Sequence, residues 1–107
     1  MGEEFSTMSK LQTGIRYEDK LEGLSNYSPW KERIKWVLQV NRIWEFAEKA
    51  IKTTTDPKEL EVYENLDTRE RLIIVDSVKD PLIPHLSRKN IAHKMWMALQ
   101  NLFQYMN

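Results

Sequence analysis

The chain has 107 residues, 16 basic side chains balanced by 16 acidic ones, and no cysteine. That length suits one domain with one core, large enough to fold without staples. Absence of cysteine excludes a zinc knuckle, a thiol nucleophile and a disulfide framework. A net charge of zero gives no global positive field for nucleic acid. No apolar run approaches the roughly 20 residues of a membrane span. The N-terminus carries no signal-peptide pattern, so a cytoplasmic protein without membrane contact is expected. The charge is unevenly spread. Acidic residues crowd positions 56–70, whereas Arg88, Lys89 and Lys94 follow Asp80 with no acid after it. The plain reading of both runs is a solvated helix face.

In chain order, residues 1–13 are polar and aperiodic, with a second methionine at Met8, and read as an expression-derived remnant or a flexible arm. The domain is expected over 14–107. Residues 15–22, between Gly14 and Gly23, show no helical stripe and suit an extended segment or an irregular turn. Ser28-Pro29 is the first helix start, with serine as cap and proline at the first position. Trp30, Ile34, Val37, Leu38 and Asn41 form one stripe, and Trp36, Val40 and Ile43 form a second on nearly the opposite side. Trp44, Phe46, Ala47, Ala50 and Ile51 continue the pattern after a bend near Asn41, until three threonines end it.

Asp56-Pro57-Lys58-Glu59 starts the next helix with a capping-box pattern, and the helix should reach about Lys79. Its residues Leu72, Ile73, Ile74 and Val75 cover every angle and so need partners on several sides. Asp80-Pro81 stops it, and Pro84 limits residues 81–86 to at most a turn of helix. Residues 87–90 restart the chain. Ile91, Ala92, Met95, Trp96, Leu99, Leu102, Phe103 and Met106 then trace a broad apolar face. Together these elements predict an all-α, compact bundle of four to five helices.

The string Lys20-Leu21-Glu22-Gly23-Leu24-Ser25-Asn26-Tyr27-Ser28-Pro29-Trp30-Lys31 resembles the opening signature of copia-type retrotransposon Gag proteins. Arg42-Ile43-Trp44-Glu45 is similar to the segment after that family's first helix. The likeness resumes through Ile73-Ile74-Val75-Asp76-Ser77-Val78, Leu82-Ile83-Pro84-His85-Leu86 and Ala92-His93-Lys94-Met95-Trp96-Met97-Ala98-Leu99. The blocks span roughly residues 20–103. The Tyr27 with Trp30 and Trp96 with Leu99 pairs are the motif anchors, and they also suit core positions. The resemblance implies a capsid N-terminal lobe that self-associates, with a following C-terminal lobe, into a shell around element RNA. The family's second lobe, its cysteine-histidine knuckle and its enzymes have no counterpart here. A domesticated module that binds a host protein or peptide is the alternative.

No enzyme, metal or cofactor is expected. His85 and His93 are eight apart with Pro84 beside the first, and no HExxH, GxSxG or glycine-rich phosphate loop occurs. Asp76 and Asp80 have the spacing of one helix face, but Asp80 better suits a cap for the turn at Pro81. Nucleic acid has two thin candidates: Lys31, Arg33 and Lys35 near Trp36, and Arg88, Lys89 and Lys94 near Trp96. Direct RNA binding is expected to be weak or absent, because Trp96 lies in the apolar stripe. The candidate association surface is Trp36, Val40, Ile43 and Met97. Residues 15–24 are expected to cover and bury Trp36.

Overall fold

The computed structural model describes residues 15–49 and 54–104. Four α-helices carry the described fold: α1 (Tyr27–Val40), α2 (Glu45–Glu48), α3 (Pro57–Asp76) and α4 (Ala92–Phe103). Three 3-10 turns accompany them: η1 (Tyr17–Asp19) and η2 (Leu24–Asn26) precede α1, and η3 (Asp80–His85) lies between α3 and α4. The fold is all-α, and the described residues contain no strand beyond one isolated parallel bridge between Leu21 and Val78. The expectations for residues 1–13, Gly14, Ala50, Ile51, Thr53 and Met106 lie outside the described residues.

α1 begins one residue before the expected Ser28 cap, continuing directly from η2. Asn26 organises that entry. Its Oδ1 accepts from the backbone N–H of Glu22 and Gly23 at 2.9 and 3.3 Å, and its Nδ2 donates to the Lys20 carbonyl at 2.9 Å. One side chain thereby satisfies three backbone groups of the loop. Trp30, Ile34 and Leu38 bury the inner face of α1, and Val37 packs at its edge.

α1 ends in a Schellman turn built without glycine. Arg42 adopts φ 61°, its N–H donates to Gln39 O, and the Ile43 N–H donates to Leu38 O. The hydrophobic contact of that motif falls on Leu38 and Ile43, both fully buried. Ile43 therefore belongs to the core and not to the outer stripe of α1, which corrects the sequence reading: helical periodicity stops at Val40, two residues before the chain reverses.

α3 starts as expected, with Asp56 Oδ1 accepting from Lys58 N at 3.0 Å and Pro57 at the first position. It stops at Asp76, three residues short of Lys79, because residues 77–79 bond to the incoming chain. Leu21 N donates to Ser77 O and Lys79 N to Leu21 O, each at 2.9 Å. The indole N–H of Trp30 donates to the same Ser77 carbonyl at 2.9 Å, so both its lone pairs are used. Leu21 and Ser77 are fully buried at this junction. Outside it, Lys79 Nζ pairs with Glu22 at 2.7 Å and sits 4.9 Å from the Tyr17 ring centroid. Of the apolar run in α3, Ile73 and Ile74 are buried and Val75 half-buried, whereas Leu72 is 53% exposed. Four apolar neighbours cannot all face inward when the helix has core on one side only.

η3 is a six-residue 3-10 turn, longer than the single turn expected, and accommodates Pro84 within it. Asp80 is its first residue and makes no side-chain cap, and Asp76 and Asp80 do not share a helix. α4 has no cap of its own. Its first N–H, on Ala92, donates instead to Asp67 Oδ1 of α3 at 3.0 Å. An anion from another helix thus supplies what local sequence omits, at the positive end of the α4 dipole.

Candidate functional site

Three aromatic rings fill the middle of the bundle. Trp30 stacks on Trp96 with centroids 5.7 Å apart, and Trp44 meets Trp96 edge to face at 5.2 Å. Tyr27 stacks on Trp30 and tilts against Phe103. The motif residues Tyr27, Trp30, Trp96 and Leu99 are all buried, so each acts through packing and none presents chemistry to solvent.

The association residues named from sequence separate into three places. Trp36 and Val40 lie side by side, one turn apart, on the outer side of α1, 66% and 77% exposed. Residues 15–24 do not cover Trp36, because η1 and η2 pack elsewhere, held by the Leu21 junction and Asn26. Ile43 is in the core, as described. Met97 is half-buried on α4 and lines a different surface.

That second surface is a groove of about 380 Å³ between α1, α2 and α4. Trp44, Trp96 and Met97 form its apolar part, and Lys31, Lys35, Glu32 and Glu48 its charged part. Lys31 Nζ donates to Gln104 Oε1 at 3.1 Å, and Lys35 Nζ stands 5.5 Å from the Trp44 ring centroid. Arg33 turns the other way, towards Asp19 at 3.9 Å. The basic trio near Trp36 is therefore divided across α1 and does not form a track for a phosphate backbone.

Arg88, Lys89 and Lys94 form no closed patch either. Arg88 follows η3 in an exposed turn, Lys89 is half-buried, and Lys94 lies exposed in the first turn of α4, where the helix dipole disfavours a cation. Trp96 is buried against Trp30 and offers no ring to a base. His93 Nδ1 donates to the Ala47 carbonyl at 2.8 Å, linking α4 to α2. Among the described residues no cluster of three or more histidine, aspartate or glutamate side chains could hold a metal, and no helix is long and apolar enough to cross a membrane.

Sequence reasoning missed two carboxylates. Asp67 and Glu70 belong to the acidic stretch read as a solvated face, yet both are buried. Asp67 is satisfied by the Ala92 N–H and by Arg71 Nε at 3.0 Å. Glu70 is fully buried and neither carboxyl oxygen has a hydrogen-bond partner. Burial, aided by the Asp67 charge, pushes its pKa up to about 9. Near neutral pH Glu70 is thus a neutral carboxylic acid inside the bundle. At the surface, Lys79 holds the Glu22 carboxyl below its ordinary value.

A family model described as a domain of unknown function, DUF4219, matches residues 21–48. The matched stretch opens at the Leu21 junction and closes at the end of α2, so it contains Trp30, the outer side of α1 and the Schellman turn. No curated protein and no solved structure matches the chain.

Proposed function

We propose that this chain is the capsid N-terminal lobe of a copia-type retrotransposon Gag protein, a structural module that self-associates through the outer side of α1. The observation that carries self-association is the Trp36 and Val40 pair, two large apolar side chains left in water next to each other on a rigid helix. The Gag reading rests on the resemblance of residues 20–31 and of the later blocks. The family-model match over residues 21–48 overlaps the first of these, and the all-α fold agrees with it. In this reading the lobe works with a C-terminal lobe to build a shell around element RNA in the cytoplasm. It does no chemistry, uses no cofactor and binds RNA weakly or not at all.

Light scattering across protein concentration and salt, comparing wild type with Trp36→Ala, tests the proposal. A mass that rises with concentration in wild type, and not in a folded variant, supports it. A wild-type monomer at every concentration overturns self-association by this lobe. The groove between α1, α2 and α4 favours a second reading, a domesticated module that accepts a host peptide there. Under that reading Met97→Glu abolishes peptide binding while Trp36→Ala leaves it intact.

A further inference from the structure

The groove between α1, α2 and α4 sorts its charges by depth. Lys31 and Lys35 stand one turn apart on the side of α1 that lines it, and both are half-buried. Glu32 and Glu48, the two acids of the same lining, are exposed. None of the four makes an ion pair among the described residues. Lys31 reaches the neutral Gln104 side chain, and Lys35 the face of Trp44. A half-buried ammonium has given up part of its hydration without gaining an anion, whereas an exposed carboxylate keeps its water and is screened by it. The interior of the groove is therefore cationic, although the charges of its lining cancel.

Apolar surface lies beside those cations. Trp44 and Met97 are half-buried, and the buried Trp96 is held between Trp30 and Trp44, so this part of the groove is rigid and already formed. On α4, Gln100 is half-buried and its side-chain amide makes no hydrogen bond among the described residues, which leaves a donor and an acceptor for a peptide backbone. A volume of about 380 Å³ is at the small end of ligand sites and suits a short segment of chain. A basic segment would find only the two exposed acids and would bring its charge against the half-buried lysines.

Resting on the second reading above, in which this groove accepts a peptide, we infer that its ligand is an acidic peptide: an apolar side chain seats against Trp44 and Met97, and flanking carboxylates pair with Lys31 and Lys35.

Fluorescence anisotropy with three labelled synthetic hexapeptides tests the assignment. The first is Glu-Asp-Leu-Phe-Glu-Asp, the second has glutamine and asparagine in place of its acids, and the third has alanine in place of leucine and phenylalanine. The first should bind at least about tenfold more tightly than either analogue, and its affinity should fall as salt rises. Lys31→Glu and Lys35→Glu should each weaken it by about tenfold, whereas Glu48→Lys should tighten it, because an exposed acid that opposes the ligand is replaced by a cation. Helicity by circular dichroism checks that the variants fold. Binding of the first peptide that survives both lysine reversals overturns the assignment. If the neutral analogue binds as tightly as the acidic peptide and Met97→Glu abolishes both, the acidic chemistry is overturned while peptide binding in the groove stands. If none of the three peptides binds, the groove reading and its ligand fall together.

Discussion

Replacing Glu70 with methionine should stabilise the protein, by an amount that depends on pH. The ordinary value for this carboxyl is 4.5, and burial beside Asp67 raises it to about 9. Between these values the unfolded chain ionises Glu70 while the native state keeps it protonated, so native stability falls as pH rises. Each pH unit costs about 1.4 kcal/mol, which amounts to roughly 3 kcal/mol at pH 7. Below 4.5 both states hold the proton and this cost vanishes. Above about 9 both have released it and the cost grows no further. Methionine has a similar volume, does not titrate and leaves no unpaired oxygen, so the gain at pH 7 should be roughly 3 kcal/mol, about 13 °C in Tm for a domain near this size. Urea unfolding of both proteins from about pH 5 to about pH 8 measures it. The gap between variant and wild type should widen by about 1.4 kcal/mol per unit. A gap that stays constant across that range refutes the reasoning, since Glu70 would then titrate alike in folded and unfolded chains.

Three further outcomes follow from the same contacts. Asp67→Ala removes the cap of α4 and the Arg71 partner together and should cost about 2 kcal/mol by urea unfolding. Its effect should not add to that of Glu70→Met, because the Asp67 charge contributes to the Glu70 shift. Arg42→Gly relieves a left-handed residue at φ 61° and should raise stability by about 0.5 to 1 kcal/mol, visible as a higher Tm. Trp30→Phe deletes the indole bond to Ser77 O and ring contact with Trp96, and should cost about 3 kcal/mol with α-helix content retained at low temperature.

What was legible in the sequence was local. Pro57 marks the start of α3, and Pro29 falls in the first turn of α1, because proline acts through its own φ and missing N–H. The inner stripe of α1 was legible because Trp30, Ile34 and Leu38 repeat at helical spacing. The end of α3 was not, since it depends on Leu21, more than fifty positions away, claiming Ser77 and Lys79 for a bridge. The turn after α1 hid for a different reason: arginine occupies a position where glycine would have announced it, so Ile43 seemed to extend the outer stripe. Asp67 and Glu70 were concealed by their neighbours, because an acidic stretch reads as solvated until a second helix is seen to cover part of it. Trp36 posed the reverse problem. An apolar residue opposite the main stripe is either covered by another segment or left open for a partner, and only the path of residues 15–24 decides between these.

The most direct test of assembly through α1 watches Trp36 itself. The indole N–H of each of the four tryptophans gives its own signal in a nitrogen–proton correlation spectrum, assignable by single substitution. Raising wild-type protein from micromolar to millimolar concentration should move or broaden the Trp36 signal while those of the buried Trp30 and Trp96 stay fixed. Four signals that hold their positions throughout would contradict association through this face.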